Sequence, residues 1–116
     1  MHGQGILEDF LNKTKYIGQF KDGQKDGEGI FKISDQQEIE GTFRNDQPSG
    51  KCKERICQVV VENLKKNLIE TLEEGEYNNG IKTGVFSSIT TSNDLIIQKT
   101  KYYENGQLIY EEEDDS

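Results

Sequence analysis

Tyr16-Ile17-Gly18-Gln19-Phe20-Lys21-Asp22-Gly23-Gln24-Lys25-Asp26-Gly27-Glu28-Gly29-Ile30-Phe31 is the stretch that decides the fold. Its aromatic and glycine positions alternate at a period of two on either side of Gly23, which is the pattern of two strands joined by a tight turn. Tyr16, Gly18 and Phe20 share one strand face, and Gly27, Gly29 and Phe31 share one face of the returning strand. Bare glycines beside rings leave room for the rings of the next hairpin, so the stretch predicts a stack.

A single hairpin of this kind is marginal in water and needs copies of itself. Gly41, Phe43 and Gly50 each stand 23 residues after Gly18, Phe20 and Gly27, with Ile39 in the place of Tyr16, Asp46 in that of Gly23 and Cys52 in that of Gly29. Gly75, Tyr77, Gly80 and Gly84 repeat the spacing of Gly18, Phe20, Gly23 and Gly27, and Phe86 takes the Gly29 slot. Gly3 and Gly5 match Gly27 and Gly29, and Tyr103 with Gly106 matches Phe20 with Gly23. All 12 glycines of the chain thereby fall in repeat slots.

The pattern resembles the MORN repeat family, whose unit reads Tyr-x-Gly-x-aromatic-x-x-Gly-x-x-x-Gly-x-Gly-x-aromatic. Tyr16 to Phe31 fits at every marked position. The second copy departs at Ile39, Asp46 and Cys52, the third at Glu73 and Phe86, and the fourth keeps only the Tyr103 to Gly106 turn. The resemblance implies an all-β chain: a single-layer, elongated antiparallel sheet of stacked hairpins over residues 1–110, part of a longer array or assembly; the charge run at 111–116 reads as an acidic disordered tail. It implies no catalytic activity and no cofactor.

Composition agrees with a quasi-linear array. With 116 residues, 31% hydrophobic, and a mean hydropathy of −0.86, the chain cannot enclose a large core, whereas stacked hairpins need only their neighbours. The net charge of −8, of which Glu111 to Asp115 supply −5, argues against nucleic acid and against acidic lipid surfaces. The acidic run reads as a solvated terminus. No stretch reaches the roughly 20 apolar residues of a spanning helix, and Met1 to Phe10 lacks the regions of a secretory signal. A cytoplasmic chain with Cys52 and Cys57 as free thiols on opposite strand faces is expected.

The interval from Gly50 to Gly75 is eleven residues longer than that from Gly27 to Gly41. One reading is an overlong hairpin: β-branched Ile56 to Val61, a turn over Asn63 to Asn67, and a return over Leu68 to Leu72. The alternative is a short helix within residues 57–74, since Cys57, Val61, Leu64, Leu68 and Leu72 recur at helical steps, although Glu73 and Glu74 would oppose its dipole. The hairpin is preferred. Either way Val59, Val61, Leu64 and Leu68 form the leading candidate contact surface, with Tyr102, Tyr103 and Tyr110 at the last copy as further candidates. Phe10 and Leu11 are expected to cover the first hairpin.

Catalytic chemistry finds no foothold. His2 is the lone histidine, so nucleophilic triads lack a base and two cysteines offer no zinc ligand set. Gly27-Glu28-Gly29 opens no helix and cradles no phosphate. The Glu73, Glu74 and Glu76 carboxylates read as a wet face. The expected function is a non-catalytic interaction or scaffold module for other protein chains, which dock on the aromatic and glycine face or pair further strands with its terminal edges. The resemblance also implies a cytoskeletal or ciliary setting. Its alternatives are phosphoinositide contact, which the acidic charge disfavours, and a substrate-positioning domain appended to a SET-type methyltransferase or lipid kinase.

Overall fold

The computed structural model describes residues 3–93 and 95–114; His2, Asp94 and Asp115 lie outside the described residues. Among the described residues nine strands follow one another in chain order within one antiparallel sheet. They are β1 (Gly3–Asp9), β2 (Thr14–Lys21), β3 (Gln24–Ser34), β4 (Gln37–Arg44), β5 (Gln47–Glu62), β6 (Lys65–Asn78), β7 (Ile81–Ser92), β8 (Leu95–Glu104) and β9 (Gln107–Glu113). No helix occurs among the described residues. The short helix considered for 57–74 is replaced by the long β5–β6 hairpin, because the β-branched run pairs residue for residue with the return strand, Val59 with Leu68 and Val61 with Lys66. Its turn is only Asn63-Leu64, tighter than the Asn63–Asn67 turn expected.

Two-residue turns with both residues left-handed join β2–β3, β4–β5, β6–β7 and β8–β9: Asp22-Gly23, Asn45-Asp46, Asn79-Gly80 and Asn105-Gly106. Their twist matches that of the strands, and Asn and Gly adopt positive φ at least cost. A register shift recurs at the matching place in successive repeats, between Gly18 and Phe20, Gly41 and Phe43, and Glu74 and Glu76. The returning strand there carries Gly27, Gly50 or Gly84 with φ of 99°, 84° and 79°. Such bulges bend and twist a strand. Repeated once per hairpin, they coil the layer toward one face, which lets a one-layer sheet bury rings.

That face holds the core: Tyr16, Phe20, Ile39, Phe43, Cys52, Tyr77, Phe86 and Tyr103. Tyr16 meets Phe20 and Phe43 edge-to-face at 5.1 Å, and Phe86 meets Tyr77 at 5.6 Å and Tyr103 at 5.0 Å. Each such pair adds about 1 kcal/mol beyond the area it buries. The glycine vacancies are filled differently from expectation. A Cβ on Gly29 would meet Tyr16, and one on Gly75 would stand 2.6 Å from the Phe86 ring, so each vacancy takes a ring from its own hairpin. Ring-to-ring contacts such as Tyr16 with Phe43 then link one repeat to the next.

Two further expectations change. Phe10 and Leu11, at the β1–β2 turn, cover nothing and stand 82% and 95% exposed. Glu111 to Glu113, expected within a disordered tail, form the end of β9 opposite Lys101, Thr100 and Lys99.

Candidate functional site

The ring face closes on itself. Its aromatic core residues are at most 8% exposed, so the aromatic and glycine surface expected to receive partners is already occupied by its own rings. Tyr103, a candidate contact residue, belongs to this interior: its hydroxyl donates to Glu73 Oε2 at 3.1 Å.

Glu73, expected on a wet face, is 4% exposed. It sits in the slot that Tyr16 fills in the first repeat, and on the same face Lys101 holds the slot of Gly18. Glu73 of the third repeat and Lys101 of the fourth thus set an ion pair between two repeats. Lys101 donates to Glu73 Oε1, and Lys82 bridges Glu73 Oε2 and Glu54 Oε1, each at 2.7 Å. Gln37 completes the chain by donating to Glu54 Oε2 at 2.7 Å. Burial alone would raise the Glu73 pKa, but the hydrogen bonds and charges of Lys101 and Lys82 outweigh it and hold the carboxyl below its ordinary value. Burial likewise works against the Lys82 ammonium, and its bonds to Glu54 and Glu73 raise its pKa nonetheless. Satisfied on all sides, these groups act as register pins more than as chemistry. Sequence reasoning missed them because period-two spacing marks which face a residue takes, and a charge in an aromatic slot reads as decay of the repeat. The signal was present in the coincidence of Glu54, Glu73, Lys82 and Lys101 on one face.

The other face and the hairpin tips carry the exposed apolar side chains. Residues 58–68 extend beyond the pairing of β5 with β4, which ends at Ile56, and that of β6 with β7, which begins at Ile69. Val59, Val61 and Leu68 share one face of this overhang and are 54%, 60% and 58% exposed. Leu64 at its tip is 100% exposed and has a φ of 64°, a left-handed conformation that costs a non-glycine residue about 1–2 kcal/mol. Tyr102 and Tyr110 are cross-strand partners on the same outer face, half exposed and apart from the overhang. The structure therefore gathers Val59, Val61, Leu64 and Leu68, sets the two outer tyrosines elsewhere, and buries Tyr103.

Cys52 is buried against the backbone of Gly41 and Cys57 lies on the outer face beside Glu70. Burial pushes the Cys52 thiol pKa up, which makes it a packing group and a poor nucleophile. Among the described residues no cluster of three His, Cys, Asp or Glu side chains could hold a metal ion, and no helix is long and apolar enough to cross a membrane.

A one-layer ribbon of repeating hairpins, with a self-filled inner face and apolar groups on its outer face and tips, defines a β-hairpin repeat protein. Residues 16–37 and 40–56 match the family model of the MORN repeat, so this part of the chain carries MORN repeats, and the β6–β7 and β8–β9 hairpins continue the same antiparallel arrangement beyond it. MORN repeats are non-catalytic units that commonly bind proteins or membranes. No curated protein matches the chain.

Proposed function

We propose that the chain is a non-catalytic protein–protein interaction module of a larger cytoplasmic assembly, cytoskeletal or ciliary in kind, and that it grips its partner through the overhanging β5–β6 hairpin. The observation that carries this reading is Leu64. A residue wholly exposed and held in a left-handed conformation contributes nothing to the fold that Gly or Asn would not contribute at lower cost. Its apolar side chain, with Val59, Val61 and Leu68 behind it, has the character of an anchor for a hydrophobic partner surface. Protein is favoured over lipid because the chain's net charge of −8 opposes an anionic bilayer.

Lys65 and Lys66 follow the tip directly and supply amines for crosslinking. In the native assembly, crosslinks from these lysines should reach one partner chain and disappear in Val61→Asp/Leu64→Asp. Crosslinks that reach no other protein, or co-flotation of the chain with phosphoinositide liposomes that the same variant abolishes, would overturn the proposal.

A further inference from the structure

Lys25 and Lys82 occupy one slot of the repeat, each two residues past the turn glycine, Gly23 or Gly80. Both ammonium groups lie over rings: Lys82 is 4.8 Å from the Tyr103 centroid and Lys25 is 4.7 Å from that of Phe31. Both side chains are largely buried, with 14% of Lys25 and 18% of Lys82 exposed. Their anions differ. Lys82 holds two carboxylates, Glu54 and Glu73, at 2.7 Å.

The slots of those carboxylates can be traced into the first repeat. Glu73 stands two residues before Gly75 as Tyr16 stands two before Gly18, and Glu54 stands two after Cys52 as Leu7 stands two after Gly5. Around Lys25 the places of both acids are thus taken by Tyr16 and Leu7. Among the described residues its ion pair is with Asp46, whose Oδ1 lies 3.9 Å away and already accepts the backbone N–H of Lys25 at 2.8 Å. Beside this under-neutralised cation a hollow of ≈ 350 Å³ opens, walled by Leu7, Tyr16, Phe31 and Lys25, with Asp9 and Asn12 also lining it.

We propose that this hollow receives one glutamate side chain, carried on an apolar stretch of a partner protein. The glutamate pairs with Lys25 as Glu54 and Glu73 pair with Lys82, and its apolar neighbours lie on Leu7 and Phe31. A charge-assisted bond to a cation held among rings is strong because little water competes for it. Asp9 sets the limit on charge. Its carboxylate is engaged by the N–H groups of Leu11 and Asn12 and by Asn12 Nδ2, at 3.1, 3.2 and 2.9 Å. Its negative charge remains in the wall and opposes a phosphate dianion more than a single carboxylate. The inference rests on the reading of the chain as a protein-binding module but uses strands β1 to β3, separate from the β5–β6 tip.

The test is heteronuclear NMR of the full chain titrated with the peptide N-acetyl-Leu-Glu-Phe-amide, its Gln counterpart, and inositol trisphosphate. The Glu peptide should move the resonances of Leu7, Tyr16, Lys25 and Phe31 and bind about tenfold more tightly than the Gln peptide. Lys25→Met should erase that preference while leaving the Tyr77 and Tyr103 resonances in place. Leu7→Glu installs a carboxylate in the slot that Glu54 fills, so it should pair with Lys25 internally, block the Glu peptide and raise the melting temperature. Equal binding of the Glu and Gln peptides, no movement at these residues, tighter binding of inositol trisphosphate, or full peptide binding by Leu7→Glu would each overturn the proposal. Val61→Asp/Leu64→Asp leaves this titration unchanged, so failure of the tip contact and failure of this site are read separately.

Discussion

Replacing Glu73 by Gln tests whether the buried charges hold the third and fourth repeats together. The substitution keeps the shape and removes the anion, leaving Lys101 with no carboxylate on Glu73 and Lys82 with Glu54 alone. The carboxylate's side chain is 5% exposed and those of its lysine partners 17% and 18%, so water repays little of the loss. Breaking a buried ion pair from one side costs about 3–5 kcal/mol, a large part of the 5–15 kcal/mol that typically separates a folded domain from its unfolded chain. The pH dependence has a definite sign. Because the folded pKa of Glu73 is depressed below that of an ordinary glutamate, its contribution is complete above the unfolded value and is lost as pH falls through the lower, folded one. Urea titrations followed by circular dichroism should therefore show a gap between wild type and Glu73→Gln that is full at pH 7 and closes in acid. The double variant Glu73→Leu/Lys101→Met should cost less than Glu73→Leu alone, since it removes both charges together. A gap below about 1 kcal/mol at pH 7, the size of an ordinary surface pair, or one that persists unchanged to the acid limit, would refute the reasoning.

Phe86→Ala, at a ring with 0% exposure packed between Tyr77 and Tyr103, should cost about 3–5 kcal/mol in a denaturant titration. Gly75→Ala should lose about 1–3 kcal/mol, because the new methyl would stand 2.6 Å from the Phe86 ring; a thermal melt superimposable on wild type would show that the ring can move aside. Leu64→Gly relieves a φ of 64° and should stabilise the chain by about 1 kcal/mol in thermal melts while weakening the crosslinks from Lys65 and Lys66.

Much of the architecture was legible because the repeat writes geometry directly into residue type. Gly27, Gly50 and Gly84 mark bulges where φ is positive, and Gly23 and Gly80 mark left-handed turn positions. The long hairpin was legible in the β-branched run at Ile56 to Val61. The candidate site was read less fully. Val59, Val61, Leu64 and Leu68 come together as their spacing suggests, but Tyr103 is core, and the Glu54, Glu73, Lys82 and Lys101 network and the hollow at Lys25 escaped notice. Each depends on which side chains meet across strands remote in sequence, and spacing along one strand carries no such information.

What the sequence by itself determined is the succession of hairpins, the glycine-marked turns and the face that the repeat's rings and glycines take, since φ restrictions and the period of two act locally. Only the tertiary structure decided that the aromatic face is filled from within and that a carboxylate in a tyrosine slot is buried between two lysines. Those outcomes follow from the coiling of the whole layer, which sets how closely neighbouring hairpins approach and gives Lys82 two carboxylates at 2.7 Å while Lys25 has Asp46 at 3.9 Å.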